Sequence, residues 1–344
     1  MKNQIYPKIS IILNMNNGGR TLEEFFKLLF SQNYPINKIE IVIADGGCKE
    51  NTKKIINNFK KKYPKNIKIV LNKKKYKLGR GMGADIASRN ATGDMILMVD
   101  SDNLLIQKDW LKNMVKILLE NRDIHAVQSG LLIPKKASII DKYFGAIGIE
   151  DPFSIPYSLG AQVIFNPQMF EYNKRGDFYI YEADKDNFYY FGDNGFLIWK
   201  NYFFKNDGYT QDIDNSYRMA KSKRIYRIAV TKKLKIYHKS PTKLIDFLKK
   251  KGLYVRIYLQ KNYENRDFYW FSLKYNNFKQ NLKFINSVLY NLLFIPGLIR
   301  GINFAIKEKE PFWLIHPIML FSITVEYIYS FILVKVSKQD FSLP

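Results

Sequence analysis

Three short apolar runs in the first hundred residues have the length of buried strands. They are Ile9–Leu13, Ile39–Ala44 and Met95–Val99, and a weaker run covers Ile67–Leu71. Continuous apolar runs of about 4 to 8 residues are typical of parallel strands that are covered on both faces. Each of the three strong runs ends in a polar stretch that carries Asn, Asp or Gly.

Helical patterns separate these runs. Between the first two, apolar residues recur on one helix face, at Leu22, Phe25, Phe26, Leu29 and Phe30. Thr21 is the predicted N-cap, and Glu24 would complete a capping box. Residues 55–59 predict a second helix, and Ile86 with Ala87 predicts a third. This alternation indicates an open α/β sheet with its ligands at the carboxyl ends of the strands.

The later part of the chain has a different pattern. Residues 126–194 have poor periodicity, which predicts an irregular lobe with short strands that shapes a binding pocket. From Thr242 the pattern turns helical and basic. Two long apolar stretches follow, Phe284–Ile299 and Pro311–Val334.

The two apolar stretches allow three interpretations. A spanning helix needs about 20 predominantly apolar residues, but Pro296 interrupts the first stretch and Glu326 lies in the second. Helices lying in the membrane interface are favoured because basic residues flank both stretches. Spanning helices and ordinary core helices are the alternatives. The basic helical segment at 243–261 is likewise interpreted as a membrane-surface element, with a solvated helix face or a nucleic-acid footprint as alternatives.

Composition narrows the class of protein. The 344 residues carry 55 Lys and Arg against 31 Asp and Glu, a formal net charge of +24. That excess favours polyanionic neighbours such as phosphate-bearing substrates or an anionic membrane face, although solvated surface lysines also account for it. The single cysteine, Cys48, excludes an internal disulfide or a Cys-based zinc cluster. The short, polar N-terminal segment has no secretory signal pattern, so we expect the N-terminal half to be cytosolic.

Asp100 and Asp102 are the strongest candidates for chemistry. They directly follow the Met95–Val99 run, and the chain must turn there for both carboxylates to face one ion. A Mg²⁺ or Mn²⁺ ion needs only one or two protein carboxylates when a diphosphate supplies further oxygens. By itself, Asp-x-Asp is explained better by a solvated turn, but Asp45 and the Asn14–Asn17 segment follow the neighbouring strands in the same way.

Several segments, in this order along the chain, resemble the family 2 glycosyltransferases. They are the first-strand motif at 10–17, Ser31–Pro35, the loop at 41–52, Gly79–Gly83, Ala91–Asp94, Asp100–Asp102, Gly192–Lys200 and the Gln211–Met219 segment, which is similar to Glu-Asp-x-Asp-Leu-x-x-Arg-Leu. The resemblance covers residues 9–238. It implies an α/β fold of the GT-A type, an open mixed sheet flanked by helices, followed here by a helical, apolar C-terminal extension. It also implies inverting transfer from a nucleotide-sugar with a divalent metal.

The resemblance assigns roles to individual residues. Asp102 would be the principal ligand of Mn²⁺ or Mg²⁺, with Asp100 beside it and His238 completing the coordination. Asp212 would be the base that deprotonates the acceptor hydroxyl, and Asp214 is the alternative base. The nucleotide-sugar would be bound by Asn17, Asp45, Arg80, Asp85, Asp100 and Gly195. Lys239, together with Arg80, would stabilise the leaving diphosphate.

Some residues depart from the family pattern. Cys48-Lys49-Glu50 stands where Ser-x-Asp is common, Gln211 replaces an acidic neighbour of the base, and Asp85 stands where Asn is common. A preference for uridine is therefore less secure than the fold. Gly79–Gly83 does not have the spacing of a dinucleotide fingerprint, so we expect a flexible loop over the phosphates.

These observations lead to one predicted organisation. Residues 1–240 form the catalytic domain, with a nucleotide-sugar half at 1–125 and an acceptor half at 126–240, and 241–344 form a membrane-associated helical region on the cytoplasmic face. The predicted partners are a UDP- or GDP-sugar, a glycan or polyprenyl-linked acceptor and an anionic membrane, and no nucleic acid. The alternatives are a polyprenyl-phosphate sugar synthase, a nucleotidyltransferase, and a non-enzymatic basic protein that binds membrane or nucleic acid.

Overall fold

The structure is a computed structural model. It describes residues 5–16, 18, 21–72, 80–132, 136–147, 151–157, 173–183, 190–192, 194–204, 212–222, 226–238, 243–337 and 339–341. All elements and contacts below refer to these residues.

The apolar runs of the sequence form the parallel half of a ten-stranded mixed sheet. The strands are β1 (Ile9–Met15), β2 (Ile39–Asp45), β3 (Ile67–Leu71), β4 (Met95–Met98), β5 (Asn103–Leu104), β6 (Ala126–Leu131), β7 (Asn173–Arg175), β8 (Phe178–Ala183), β9 (Phe196–Trp199) and β10 (Tyr226–His238). They are arranged in the order β3-β2-β1-β4-β9-β6-β10-β8-β7, and β5 pairs with β10.

The direction of the strands changes across the sheet. Strands β3, β2, β1 and β4 are parallel, β9 is antiparallel to both β4 and β6, and β10 is parallel to β6. Every residue of β4 is buried, as expected for a strand covered on both faces. The predicted fold, an open mixed α/β sheet flanked by helices and followed by an apolar helical extension, is confirmed.

Most helices connect successive strands, and the last four follow the final strand, β10. They are α1 (Leu22–Phe30), α2 (Glu50–Lys62), α3 (Arg80–Arg89), α4 (Trp110–Glu120), α5 (Ile139–Ile147), α6 (Lys200–Phe204), α7 (Asp212–Lys221), α8 (Leu244–Ile257), α9 (Phe278–Leu292), α10 (Ile295–Glu308) and α11 (His316–Val336). The apolar face predicted for α1 is buried at Leu22, Phe25, Phe26 and Leu29.

Three local predictions are wrong. Thr21 is the N-cap of α1, but its side chain makes no capping hydrogen bond, so the capping box is absent. Residues 126–131 are not irregular, because they form the fully buried strand β6 between β9 and β10. Residues 80–83 are not a loop, because α3 starts at Arg80; Gly79 lies outside the described residues.

Contacts divide the chain into two units. The first consists of residues 1–132 and 166–239 and contains the whole sheet. The second consists of residues 133–165 and 240–344. Residues 133–165 thus group with the C-terminal helices, although the sequence suggested a division near residue 240.

The second unit is helical and has an aromatic core. Its buried residues include Tyr143 and Phe144 from α5, Phe247 from α8, Phe304 from α10 and Trp313. Within the described residues, Pro311–Val336 is long and apolar enough to cross a membrane. Helices α9 and α10 meet that criterion only as a pair, and the pair is bent by 77°.

Candidate functional site

The loops after β1, β2 and β4 meet at one edge of the sheet. The parallel register places Met15 beside Asp45, so β1 and β2 end at the same level. A Cβ atom on Gly18 would lie 2.9 Å from Oγ of Ser101, so the loop after β1 touches the Asp100–Asp102 loop. The expectation that polar strand ends gather at the carboxyl edge is therefore confirmed for these loops.

The chain turns sharply at Asp100, as the Asp-x-Asp pattern required. The backbone N–H of Asn103 donates to the carbonyl of Asp100 at 3.0 Å. In the opposite direction, the N–H of Asp100 donates to Oδ1 of Asn103 at 2.9 Å. This pair of hydrogen bonds closes the turn and leads directly into β5.

The turn is held against the end of β10. Asn103 pairs with His238 in the antiparallel register of β5 and β10. Nδ2 of Asn103 lies 2.7 Å from Nδ1 of His238. Because Oδ1 of Asn103 already accepts from Asp100, its amide nitrogen faces the imidazole and donates to Nδ1. If the ring is neutral, this arrangement places its proton on Nε2, and the single lone pair of Nδ1 accepts from the Asn103 amide.

This arrangement brings together two residues that are far apart in the sequence. Oδ1 of Asp102 lies 3.5 Å from Nδ1 of His238. The sequence analysis named both as metal ligands but did not assign a role to Asn103, which is fully buried and connects them. The signal available in the sequence was an amide directly after Asp102, a residue type that can hold a turn and a histidine at once.

The donor set fits a divalent ion with two protein ligands. A carboxylate oxygen and an imidazole nitrogen lie close together, and both kinds of atom bind divalent ions. Nδ1 would bind an ion only by exchanging its hydrogen bond from Asn103 for it. No group of three or more His, Cys, Asp and Glu side chains comes together within the described part of the chain. Two protein ligands are nevertheless enough for an ion that also takes oxygens from a diphosphate.

Asp45 at the end of β2 is held as a carboxylate. Burial by itself would raise its pKa, but hydrogen bonds from the backbone N–H groups of Cys48 and Gly47 outweigh burial and lower the pKa. These bonds, at 2.7 Å and 2.9 Å to Oδ1, also fix the loop that follows the strand. Burial and the neighbouring Asp45 raise the pKa of the Cys48 thiol to about 12, so this cysteine is unreactive at neutral pH.

Gly195 directly precedes β9 and lies next to the end of β4. Its N–H donates to the carbonyl of Met98, and its own carbonyl accepts from Ser129. Its φ is +90°, a conformation that residues with a Cβ atom rarely adopt. A Cβ atom would lie 2.7 Å from Oγ of Ser129. Gly195 therefore allows the chain to pass close to Ser129 of β6, beside the end of β4.

Helix α3 packs against the end of β1. A Cβ atom on Gly83 would clash with the side chain of Asn14, so the glycine permits this close approach. Asp85 forms an ion pair with Nε of Arg89 at 2.8 Å. Arg80 is the first residue of α3, but its side chain, like Asn17 and Lys239, lies outside the described residues.

The two candidate bases lie in the first turn of α7. Asp212 begins the helix, and its side chain lies outside the described part. The side chain of Asp214 is fully buried. Two residues after Asp214, the Oγ atom of Ser216 accepts a hydrogen bond from the N–H of Phe191 at 2.7 Å. This bond connects α7 to the loop before Gly195.

Comparisons with known proteins show which sequences the chain is similar to. Residues 10–164 match the family model described as Glycosyl transferase family 2. A GalNAc(5)-diNAcBac-PP-undecaprenol beta-1,3-glucosyltransferase from Campylobacter jejuni is 26% identical over 222 residues, 64% of this chain and 65% of the relative. A putative glycosyltransferase, EpsE, from Bacillus subtilis is 29% identical over 127 residues, 37% of this chain and 44% of the relative. The chain thus spans less than two thirds of the length of these two relatives.

A solved structure shares the fold. The mannosyltransferase PcManGT from Pyrobaculum calidifontis, in complex with GDP-Man and Mn²⁺, aligns with a TM-score of 0.54 and 15% identity. The alignment covers 95% of this chain and 88% of that chain.

Proposed function

Because residues 10–164 match the family model of glycosyl transferase family 2, we propose that the chain is an inverting glycosyltransferase. It moves a sugar from a nucleoside diphosphate sugar to a hydroxyl of a glycan or lipid-linked acceptor in cell-envelope or glycoconjugate synthesis. The observation that carries this proposal is the approach of Asp102 to His238, at 3.5 Å, where the loops after β1, β2 and β4 meet.

Asp102 and His238 are the proposed ligands of a Mn²⁺ or Mg²⁺ ion, with Asp100 beside them. Such an ion supplies electrostatic stabilisation of the negative charge that develops on the departing nucleoside diphosphate. Asn103 closes the Asp100 turn and holds the His238 ring beside it. Binding of an ion through Nδ1 would replace the hydrogen bond from Asn103, because that nitrogen has one lone pair.

The remaining site residues bind the donor and move one proton. Asp45 contacts the nucleoside, because its carboxylate is held ionised at the end of β2. Asp100 faces the ribose or diphosphate, and Asn17, Arg80, Asp85 and Gly195 complete the donor site. Asp212 removes the proton from the acceptor hydroxyl, so that this oxygen attacks the anomeric carbon opposite the diphosphate. We favour Asp212 over Asp214 because the carboxylate of Asp214 is fully buried.

The acceptor is proposed to be presented at the cytoplasmic face of a membrane. The name of the Campylobacter relative gives an undecaprenol-linked glycan as the acceptor, and the second unit of this chain has a long apolar helix. The alternative within the same chemistry is a polyprenyl-phosphate sugar synthase, in which the acceptor is itself a phosphate. UDP- and GDP-sugars are the proposed donors.

The test measures donor binding and transfer separately with the purified full chain. A thermal-shift panel of UDP- and GDP-sugars with and without Mn²⁺ is expected to show stabilisation by one donor that depends on the metal. Transfer is then followed with polyprenyl phosphate and with an undecaprenol-linked glycan as acceptors, because the product distinguishes the two acceptor chemistries. Asp102→Ala is expected to abolish the metal-dependent part of the shift. Asp212→Asn is expected to lower kcat about 100-fold or more with donor binding kept.

Asp177→Ala provides the matched control, because Asp177 is an exposed carboxylate in the β7–β8 turn that pairs with Lys233. This variant should transfer like the wild type. Release of pyrophosphate from a nucleoside triphosphate and a sugar phosphate would instead indicate a nucleotidyltransferase. Wild-type turnover by both Asp102→Ala and Asp212→Asn would show that the assigned roles are wrong.

A further inference from the structure

Helix α9 buries three polar residues and exposes several apolar ones. Asn281, Ser287 and Asn291 are buried, whereas Phe278 and Leu289 are 82% and 52% exposed. Helices of water-soluble domains have the opposite arrangement. Inverted polarity is expected for a helix whose outer face contacts hydrocarbon and whose inner face makes hydrogen bonds within the protein.

The buried polar residues of α9 bond inside the second unit. Nδ2 of Asn291 donates to Oγ1 of Thr324 on α11 at 2.9 Å. Asn281 accepts from the N–H of Ser272 and donates to its carbonyl, both at 3.0 Å. These bonds fix which face of α9 points inward, so the exposed apolar face is a defined surface.

The two following helices extend the exposed apolar surface. On α10, Ile295, Ile299 and Ile306 are exposed, and on α11, Phe321, Val325 and Ile332 are exposed. Between Phe284 and Ile306 the sequence carries a single charged residue, Arg300. Single exposed apolar side chains are common on soluble proteins, but here exposed apolar residues lie on three successive helices. A continuous apolar surface of this kind indicates an interaction site.

Helix α10 packs closely against the start of α11 through small residues. A Cβ atom on Gly301 would lie 2.7 Å from the carbonyl of Trp313, and one on Gly297 would lie 3.2 Å from Cα of Pro317. Glycines four residues apart permit close helix packing without polar contacts, as in membrane helices. The three helices are therefore connected as one element.

From these observations we propose that the outward apolar faces of α9, α10 and α11 insert into one leaflet of an anionic bilayer, and that α11 does not cross it. The lengths of the first two helices agree with this. Helix α9 has 15 residues and α10 has 14, about 22 Å each at 1.5 Å per residue. Neither reaches across a hydrocarbon core of about 30 Å.

The contacts on the inner face of α11 argue against a position in which this helix crosses the bilayer. Glu326, near its middle, forms an ion pair with Arg256 of α8 at 3.2 Å. Arg256 also donates to Ser330 at 2.9 Å, and Gly252 of α8 makes room for the Glu326 carboxylate. If α11 crossed a bilayer, α8 would lie at mid-depth with Lys249–Lys251 less than one turn from Gly252, which is costly in hydrocarbon.

Charge complementarity specifies the lipid. Basic residues outnumber acidic ones between residues 243 and 337, and lysines lie at the ends of the apolar stretches, including Lys279, Lys307 and Lys335. Lysines at these positions reach anionic headgroups while the apolar faces lie below them. A zwitterionic surface would provide only the apolar part of this attraction.

Binding is tested by flotation of the full chain with vesicles of phosphatidylcholine alone and with added phosphatidylglycerol. The wild type is expected to float with both and more strongly with the anionic vesicles, with the difference lost at high salt. Ile285→Asp on α9 should weaken partitioning about tenfold or more. The matched control is Ile36→Asp in the first unit, because Ile36 and Ile285 are both 44% exposed; it should bind as the wild type does.

Topology is tested with single added cysteines in the same vesicles. Glu310→Cys and Gln339→Cys place thiols at exposed positions before and after α11. Since Cys48 is buried, it adds little background labelling. One-leaflet insertion predicts that a membrane-impermeant maleimide added outside labels both thiols as fully as it does after detergent. Protection of one thiol until detergent is added would show that α11 spans the bilayer and would overturn the proposal.

A second copy of the chain is the other possible occupant of this surface. If the wild type ignores vesicles of both compositions but forms a dimer that Ile285→Asp dissociates in gel filtration, the surface is a protein interface and the membrane proposal is wrong. All these readouts are independent of sugar transfer, so their outcome is distinguishable from that of the proposed activity.

Discussion

Gly195→Ala is the perturbation whose cost the structure defines most sharply. Gly195 has a φ of +90°. A methyl group there would lie 2.7 Å from Oγ of Ser129, 3.1 Å from its Cβ and 3.2 Å from Cζ2 of Trp110. Ser129 and Trp110 are both buried, so neither side chain can move into solvent.

The expected cost has two parts. An L-residue with positive φ costs about 1 to 2 kcal/mol relative to glycine. Overpacking a buried site by one carbon costs about 1 to 3 kcal/mol more. Replacing glycine also reduces the conformational entropy of the unfolded chain, which stabilises the folded state by about 0.4 to 1 kcal/mol. The net destabilisation is therefore about 3 kcal/mol.

Gly176→Ala separates the two parts. Gly176, in the β7–β8 turn, also has positive φ, +58°, but a Cβ atom there meets nothing within 4 Å. Its substitution should cost only the backbone part, about 1 kcal/mol or less. Urea unfolding of both variants, followed by circular dichroism, gives the difference in unfolding free energy from the shift in midpoint. We expect Gly195→Ala to be about 2 kcal/mol less stable than Gly176→Ala.

Equal midpoints for the two variants would refute this reasoning. In that case the packing around Gly195 would relax at no cost, and the close contact with Ser129 would not constrain the loop before β9. The whole loss of stability in both variants would then come from backbone strain at positive φ.

Two further substitutions test the site and the sheet. Asn103→Ala should lower the free energy of unfolding by about 2 kcal/mol in urea titrations, because it removes the partners of the Asp100 N–H and of His238 in a buried turn; unchanged stability would contradict the role of Asn103. Glu40 has a pKa below the 4.5 of an unfolded glutamate because hydrogen bonds from Ser10 and Thr92 outweigh the effect of burial, which would raise it. Its contribution is therefore present above pH 4.5 and is lost as the pH falls through its folded pKa. The stability difference between wild type and Glu40→Gln should shrink on acidification below pH 4.5, and a difference that stays constant would contradict this.

The local patterns of the sequence were sufficient for much of the fold. The apolar runs predicted β1, β2, β3 and β4 within two residues at each end, because strands covered on both faces have a continuous apolar pattern that needs no knowledge of the partner strand. The turn at Asp100 was also predictable, since two carboxylates one residue apart cannot face one ion along an extended chain. Strand β6 was missed because its apolar residues are mixed with Gln128, Ser129 and Gly130.

The sequence shows which charged residues the C-terminal helices carry, but it does not show which of them are paired. Glu326 argued against a membrane helix when α11 was considered by itself. In the structure, Arg256 of α8 neutralises it, and the two residues are 70 positions apart. Composition shows that a charge exists, whereas only packing shows whether it has a partner.

The sequence by itself therefore determined the parallel strands, the carboxylates that follow them and the family that these resemble, because hydrophobic periodicity and turn chemistry act over a few residues. Only the tertiary structure decided that Asp102 lies beside His238, since the register between β5 and β10 sets that distance across more than a hundred residues. It also decided that Asn103 joins them and that the polar face of α9 points inward. These contacts depend on which elements pack together, and that choice is made by the whole fold.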